Sequence, residues 1–543
     1  MPRTPQLGRS RWMSLLLLGS ILGAWPAIAL GQEEVTLPPL IVPHRAVPPS
    51  LDPSKALVEN PGETAELLDG VTQQNEGLLG EKKAPAKSDS AGPASAQATA
   101  PTAGGGSVAT GGDPTSIGRA QEVGNLHLGK VSLNATYDYD NSGLHLTTQD
   151  EEFSLGLRGM TQLDGMLYTR PTPGIETSSG FYNPRTRVYF EGHATKPIYW
   201  EFSVQNFYDS VALLDAYLNF NYDPRFQVQI GRYKNPFTYE FYRMHIWDLM
   251  APERSLFADN YEANRRFGLM AHGDLCDQRV EYALGTFDTQ RNSFRPFNSR
   301  QDVEAFLNFK PYYNREEGFL LRDLQFGGSV DAGNEDQSPV PAVLRTNRSP
   351  GGDAVNSTVA GNAASLPFLA FNPGVLERGG RALWEAHLAY YYGGLSLVTA
   401  LEGGHESYAN GPAAPPLHVP INGWFVQAGY LLTGETIRDR TLIQPLHPFD
   451  LRAGRRGCGA WELTARYSQL DLDPRVFTAG LANPNLWTNH AKLIDVGVNW
   501  YLNQFVKVYF DWEHAILGNP VLSTSGHFTE SNDLFWVRTQ LNF

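Results

Sequence analysis

The stretch IDVGVNWYLNQFVKVYFDWE, residues 494–513, decides the fold. On both sides of a short turn at Leu502-Asn503-Gln504, apolar and polar side chains alternate with a period of two. The apolar series is Ile494, Val496, Val498, Trp500, Val506, Val508, Phe510 and Trp512. The intervening residues include Asp495, Asn499, Lys507, Asp511 and Glu513. A period of two predicts strands whose faces meet different surroundings, here an antiparallel pair.

The same alternation recurs from about Leu126 to Phe543 and gives about sixteen candidate strands from Phe153 onward. The polar face carries charge in nearly every strand, and the apolar face often has Trp or Tyr near its ends. A large barrel accommodates both faces, with lipid outside, water inside and aromatic girdles at the interfaces. The sequence therefore predicts an all-β fold, a transmembrane antiparallel β-barrel over residues 126–543. Closure is expected because lipid leaves unpaired backbone groups without partners, and at this strand number the lumen is a water-filled channel.

The connections alternate between short and long, as in outer-membrane barrels. The expected tight turns are Thr195-Lys196-Pro197, Asp223-Pro224, Leu275 to Gln278 and Leu502-Asn503-Gln504. The expected long loops are Asn235 to Arg266, Asp331 to Arg381, His405 to Ile421 and Asp471 to Thr488. The segment from Thr433 to Cys458 is long where the alternation predicts a short turn. The last strand ends on Phe543, which resembles the assembly signal of bacterial outer-membrane barrels.

The N-terminal 125 residues have a different composition. Three arginines precede an apolar run from Met13 to Trp25, and Ala27-Ile28-Ala29 supplies a small-x-small cleavage pattern. Residues 1–29 are therefore expected to be a secretory signal peptide rather than a membrane anchor. Residues 30–125 are rich in Pro, Ala, Gly, Ser and Thr, which predicts a disordered periplasmic linker.

The composition excludes several classes of protein. Of the 543 residues 18% are charged, and the net charge of −14 argues against a nucleic-acid partner. The absence of H-E-x-x-H, G-x-S-x-G and Walker patterns gives no support to catalysis, so no enzyme activity, cofactor or metal site is expected. The two cysteines, Cys276 and Cys458, are too few for a disulfide scaffold.

Several strings also resemble the phosphate-selective porin O/P family of bacterial outer membranes. They are Asp215-Ala216-Tyr217, Gly231 to Phe237 with Glu240, Glu253-Arg254-Ser255, Tyr430 with Leu432 to Glu435, Gly459 to Leu463 with Arg466-Tyr467-Ser468, and Asn499-Trp500-Tyr501. They occur in order over roughly residues 140 to 543. The resemblance implies a sixteen-stranded homotrimer in outer-membrane lipid, with its third long loop folded into the pore. The strand count places Asn235 to Arg266 as that loop.

The charged residues give two sets of candidate site residues. The expected anion-binding constriction comprises Lys234, Arg243, Arg254, Arg265 and Arg266. The expected lumen-wall cations are Arg158, Arg187, Arg466, Lys507 and Arg538. Arginine offers anions a bidentate fork and lysine a point charge. Acidic residues accompany both sets, so a phosphate-selective pore and a general diffusion pore for small anionic or polar solutes both stay open.

Structural roles for some of these charges are equally open. Arg466 and Glu462 lie four apart on one strand face, which favours an ion pair in the wall. A pair between Glu253 and Arg254 would hold the third loop inside the barrel. Arg265 and Arg266 would suit either lipid phosphate or solute phosphate.

Two further points do not fit the simple alternation. Arg232 and Lys234 share the parity of lipid-facing residues, so the strand has either bulged or ended there. Cys276 and Cys458 map to the turn rim on distant strands, which disfavours a disulfide between them.

The preferred function is an outer-membrane porin for passive diffusion of small solutes. One alternative is a non-conducting barrel that acts as an adhesin or envelope scaffold. The other is a secreted β-rich hydrolase, for which the i, i+2 acids Asp511 and Glu513 have suitable spacing, although a water-facing wall gives the same spacing.

Overall fold

The structure is a computed structural model that describes residues 121–128, 131–138, 143–170, 179–207, 210–289, 300–347, 365–441, 443–452, 454, 456–522 and 526–543. Its strands are β1 (Gln121–Leu128), β2 (Val131–Asp138), β3 (Gly143–Thr148), β4 (Ser154–Tyr168), β5 (Gly180–Thr195), β6 (Ile198–Phe207), β7 (Ser210–Asp223), β8 (Phe226–Lys234), β9 (Arg265–Leu275), β10 (Val280–Asp288), β11 (Gln301–Phe309), β12 (Asp323–Gln337), β13 (Val343–Arg345), β14 (Pro367–Ala370), β15 (Val375–Tyr392), β16 (Leu395–Asn410), β17 (Leu417–Leu431), β18 (Ala460–Leu472), β19 (His490–Tyr501), β20 (Val506–Leu522) and β21 (Phe528–Asn542). Three short helices are α1 (Tyr239–Tyr242), α2 (Leu256–Tyr261) and α3 (Arg475–Thr478). Within the described residues, no helix combines the length and apolar character that a membrane crossing requires. The expected signal peptide and all but the last residues of the expected linker lie outside the described residues.

Sixteen of the described strands, β4–β12 and β15–β21, form one closed antiparallel sheet. Each pairs with the next strand of this set along the chain. β21 returns to pair with β4, from Leu534 opposite Tyr168 to Asn542 opposite Met160. The expected sixteen-stranded antiparallel barrel is therefore confirmed, and its closure leaves no free edge within the wall.

The side chains of the wall alternate between the two surfaces as the sequence predicts. On β21, the side chains of Arg538 and Gln540 are fully buried, whereas Phe535 is 50% exposed and Val537 42% exposed. The same strand thus presents its polar residues to the lumen and its apolar residues to the outer surface. A period of two suffices for this assignment because successive side chains of a strand point to opposite faces.

The strands β1, β2 and β3 form an antiparallel meander that precedes the barrel. β3 pairs with Ser154–Leu157, the first residues of β4. Further along the same edge, Phe543 exchanges two backbone hydrogen bonds with Gly159, at N···O distances of 2.8 and 2.9 Å. β4 therefore holds both β21 and β3, and the meander joins the barrel at the rim of the short turns.

The connections largely follow the expected alternation, with two errors in the long loops. The loop expected from Asp331 to Arg381 is shorter, because β12 runs to Gln337 and β15 begins at Val375. The four tight turns are present, and residues 235–264, between β8 and β9, form the third connection at the opposite rim. The stretch from His405 to Ile421 is not a long loop, because β16 runs to Asn410 and β17 begins at Leu417. Between β12 and β15 the chain forms a separate two-stranded sheet of β13 and β14.

Loop residues fill a large part of the barrel interior. Residues 235–264, which we call loop 3, carry Leu256 and Phe257 on α2 into an apolar cluster with Phe368, Leu369 and Val476 from two other loops. Gly423 allows the close approach of α2 to β17, because a Cβ there would lie 3.1 Å from the Cβ of Phe257. These loops thereby occupy the β15–β20 side of the lumen.

The connection between β17 and β18, residues 432–459, also folds inward, and we call it the turn-side segment. Its Ile437 and Ile443 are buried in a cluster with Met244 and Leu249 of loop 3. Arg440 extends to the wall, 2.6 Å from Glu462, and donates to the Asp248 carbonyl of loop 3. The long segment that interrupts the predicted alternation is therefore a second in-folded element, which enters from the rim opposite to that of loop 3.

Candidate solute pathway

Loop 3 is fixed inside the barrel by Glu253. Its carboxylate lies 2.6 Å from Arg185 on β5 and 2.8 Å from Arg538 on β21, and all three side chains are buried. Burial opposes ionisation, but the two guanidinium groups outweigh it and lower the pKa of Glu253 below its ordinary value. Glu253 is therefore a charged anchor to the wall on both sides of β4. The expected pair with Arg254 is wrong, since Arg254 donates to the carbonyls of Glu240 and Met244 instead.

Three of the expected lumen-wall cations also hold loop 3 in place from the barrel wall. Arg466 donates to the Glu253 carbonyl, Lys507 to the Leu249 carbonyl and Arg538 to the Pro252 carbonyl. All three side chains are buried. They point inward as expected, but they hold the backbone of loop 3 instead of lining open space.

The expected ion pair between Arg466 and Glu462 is also wrong. Arg466 pairs with Asp495, directly opposite it on β19, at 2.8 Å. Glu462 pairs with Arg440 of the turn-side segment.

A cavity of about 220 Å³ lies between loop 3 and the wall formed by β4–β9, and we call it the basic cavity. This volume is well above the roughly 10–15 Å³ that one water needs on the same measure. Five cations line it: Arg158, Arg187, Lys234, Arg254 and Arg265. Two carboxylates, Glu201 and Asp215, line it as well, and Glu191 pairs with Arg158 from the adjoining strand, which leaves an excess of two positive charges. Three of the five expected constriction residues and two of the five expected wall residues thus meet in one place.

Aromatic and acidic neighbours orient these cations. Arg158 lies over the ring of Tyr189 at 4.9 Å and pairs with Glu191 at 2.5 Å. Arg265 lies 3.2 Å from Asp215. Such contacts hold the guanidinium groups in place before any solute arrives, which lowers the entropic cost of binding.

Lys234 reaches the basic cavity because the backbone of β8 twists just before it. Gly231 has φ +131°, and a Cβ there would lie 2.3 Å from the Ala216 carbonyl oxygen. Beyond this twist, the buried Arg232 donates to the Leu214 and Arg265 carbonyls. The irregularity that the sequence placed at these residues is therefore a twist within β8, which continues to Lys234.

The ammonium group of Lys234 faces carbonyl oxygens rather than a carboxylate. It donates to the carbonyls of Tyr242 and Met244 at 3.3 and 3.2 Å. The same group lies over the ring of Phe241, 5.0 Å from its centroid.

The structure places the other two expected constriction residues away from the basic cavity. Arg266 is buried among Asp302, Glu304 and Asp331 in the wall. Arg243 belongs to loop 3 but turns toward the short-turn rim, where it pairs with Asp439 at 2.7 Å. Sequence position alone did not distinguish these two arginines from the cations that line the basic cavity.

Sequence reasoning did not single out the aromatic residues of the basic cavity. Tyr189, Tyr217, Tyr233, Tyr242 and Trp247 all line it. Tyr217 and Tyr189 fall on the lumen parity of their strands, so the alternation contained a signal for them.

The comparisons with known proteins agree with this architecture. The family model described as phosphate-selective porin O and P matches residues 157–515. The chain belongs to this family. Porin O of Pseudomonas aeruginosa is 22% identical to this porin over 395 residues, which cover 67% of this chain and 84% of that protein.

Solved structures with a similar fold include other porins. An anion-selective porin from Comamonas acidovorans is 11% identical, with a TM-score of 0.42, and the match covers 72% of this chain and all of that one. The trimer form of OmpT, an outer membrane protein of Vibrio cholerae, is 9% identical, with a TM-score of 0.41, and its match covers 72% of this chain and all of that one.

As a member of this family, the porin forms a channel in the outer membrane and is not an enzyme. Both cysteines, Cys276 and Cys458, are free thiols. No group of three His, Cys, Asp or Glu side chains in the described ranges is arranged to hold a metal ion.

Proposed function

We propose that this porin conducts small anions, phosphate among them, through the basic cavity. The observation that carries the proposal is the excess of two positive charges there, in a chain whose net charge is −14. Ion preference follows the local field where the path is narrowest, and a low-dielectric wall strengthens that field. The description of the family names phosphate, a solute of the same class.

The composition of the cavity suits a hydrated oxyanion. Arg254 and Arg265 supply guanidinium groups, and Lys234 supplies an amino group that two carbonyls and the Phe241 ring hold in place. Arginine forks match the oxygens of phosphate, whereas a lone ammonium holds them less directionally. Glu201 and Asp215 limit the attraction, which suits conduction because a solute must also leave.

Planar bilayer recordings test the proposal. In a KCl gradient, the wild-type channel is expected to show a reversal potential on the anion side, and phosphate is expected to reduce the chloride current by competing for the cavity. The variants Lys234→Gln and Arg254→Gln should each lower the anion-to-cation permeability ratio about threefold, because one charge is lost across a hydrated gap.

Arg475→Gln is the matched control, since the exposed Arg475 side chain at the start of α3 pairs locally with Asp473. Its permeability ratio should equal that of the wild type. A wild-type channel that prefers cations would contradict the proposal. A barrel that gives no conductance steps would instead favour the scaffold alternative.

We propose a homotrimer as the assembly. The outer surface near the closing seam carries polar side chains where lipid contact would favour apolar ones: Thr161, Asn183, Thr186 and Asn206, which we call the polar strip. Beside it, Phe181 is 95% exposed at an outer groove that includes Leu163 and Val537. Contact with neighbouring copies would cover both features.

We also propose that residues 1–29 are removed as a signal peptide and that residues 30–120 form a periplasmic spacer. The linker expected over residues 30–125 is wrong at its end, because residues 121–125 belong to β1. The support is the position of β1–β3, which joins the barrel at the rim of the short turns. In outer-membrane barrels that rim faces the periplasm. Mass determination of the protein purified from outer membranes gives the mature N-terminus.

A further inference from the structure

A second cavity, of about 340 Å³, lies at the short-turn rim, and we call it the turn-side cavity. Its charged lining consists of Arg243, Lys310 and Arg438 against Asp274, Glu281 and Asp439. The three cations and three carboxylates of the lining balance, and Asp323 also pairs with Arg438 at 3.2 Å, whereas the basic cavity has an excess of two cations. An anion that passes from one cavity to the other therefore moves from a positive field to a balanced one.

Loop 3 divides the two cavities at consecutive residues. Tyr242 lines the basic cavity and Arg243 lines the turn-side cavity. Of the three cations in the turn-side cavity, Arg243 lies nearest along the chain to a residue of the basic cavity, so its neutralisation decides where the positive field ends. That neutralisation has two sources, Glu281 at 3.2 Å and Asp439 at 2.7 Å.

The carboxylate of Asp439 is supplied by the in-folded turn-side segment. The adjacent Arg440 fixes this part of the segment, since it is buried and bonded to Glu462 and to the Asp248 carbonyl. The Tyr239 hydroxyl also approaches Asp439, at 3.4 Å. Asp439 is thus held against Arg243 by contacts independent of the pair itself.

We propose that Asp439 is a specificity-determining residue that sets the release of anions toward the short-turn rim. By neutralising Arg243, it keeps the turn-side cavity without net positive charge, so an anion that leaves the basic cavity is not captured again. Conduction needs binding that admits a solute and then lets it go. This inference rests on the proposed anion function, because it concerns the step that follows the basic cavity.

The test compares Asp439→Asn with the wild type in bilayers containing phosphate. The variant makes the charge of the turn-side cavity more positive by one unit and should lengthen phosphate-induced current blocks about threefold, as one unit charge acts across a hydrated space. Asp450→Asn is the control in the same segment, because Asp450 pairs locally with the exposed Arg452. Its block durations should match those of the wild type.

Arg243→Gln/Asp439→Asn keeps the charge balance without the ion pair. If charge is decisive, this double variant restores the wild-type block duration. It also provides a measurable channel if Asp439→Asn alone assembles poorly. Block durations that are equal in Asp439→Asn and in the wild type would overturn the inference, provided that the wild type prefers anions. A wild type without anion preference would instead overturn the proposed function.

Discussion

Arg265 and Arg266 are neighbours in sequence with different surroundings, and we predict different consequences for their loss. Arg266 is fully buried among Asp302, Glu304 and Asp331, so Arg266→Gln leaves three carboxylates without their shared cation. Breaking a buried pair in this way costs about 3–5 kcal/mol, although Arg381 also contacts two of the acids. We expect a clear fall in the temperature at which the barrel unfolds on gels.

Arg265→Gln is the matched variant. Arg265 lines the basic cavity, and its partner Asp215 keeps a hydrogen bond from the Ser203 hydroxyl at 2.7 Å. The variant should therefore unfold near the wild-type temperature but show a lower anion-to-cation permeability ratio. The reverse pattern, with Arg266→Gln altering permeability and Arg265→Gln altering stability, would contradict the roles assigned to these two residues.

At the residue scale, the sequence predicted which face of the wall a side chain lies on, but not which residue it pairs with. The alternation correctly predicted that Arg466, Glu462 and Arg538 face the lumen. It could not identify Asp495 as the partner of Arg466, because that pairing depends on the register between β18 and β19. It could not identify Arg440 as the partner of Glu462 either, because Arg440 arrives from a segment without strand periodicity.

Loop 3 is the element whose behaviour should depend on pH. The lowered pKa of Glu253 means that its anchor to Arg185 and Arg538 is intact above the ordinary range of Glu and is lost as the pH falls through the lowered value. Bilayer traces should therefore become noisier, with more closures, only at strongly acidic pH. In Glu253→Gln these closures should already be frequent at neutral pH and change little on acidification.

Asp473, whose side chain is partly exposed, provides the control for this element. Asp473→Asn removes a carboxylate that pairs with Arg475 away from loop 3, so the pH at which closures begin should stay as in the wild type. An identical onset in the wild type and in Glu253→Gln would show that Glu253 does not anchor the loop.

The sequence predicted elements well inside the membrane belt and less well beyond it. The strands of residues 494–513 are β19 and β20, as the alternation indicated. His405 to Ile421 was misread because β16 and β17 run on through Gly404 and Pro420, where the alternation is weaker. The inward course of the turn-side segment depends on long-range contacts such as that of Arg440, for which a single sequence has no periodic signal.

At the scale of the whole molecule, charge is distributed unevenly around the lumen. The apolar cluster of loops and the buried pairs under loop 3 occupy the β15–β21 side, whereas the basic cavity lies along β4–β9. An acidic chain can therefore hold a positive pathway, because the excess acidic residues lie elsewhere. The net charge of −14 excluded a nucleic-acid partner in the sequence argument but carried no information about this local field.

The polar side chains on the outer surface provide a test of the proposed trimer. Thr161 and Thr186 hydrogen-bond to each other at 2.8 Å on the outer face, which would be an unusual surface for lipid contact. If the polar strip faces a neighbouring copy, replacing Thr161, Asn183 and Thr186 by Leu should disrupt that fit and abolish SDS-resistant trimers on unheated gels. If the strip faces lipid, the same variant should leave the oligomer intact or make the barrel more stable, and the proposed interface would be wrong. Thr399→Leu on β16 is the control. The Thr399 hydroxyl donates to the Phe425 carbonyl at 2.7 Å, and the variant should keep the trimer. The heated samples of all variants should migrate as unfolded monomers, so that a lost oligomer can be distinguished from lost expression.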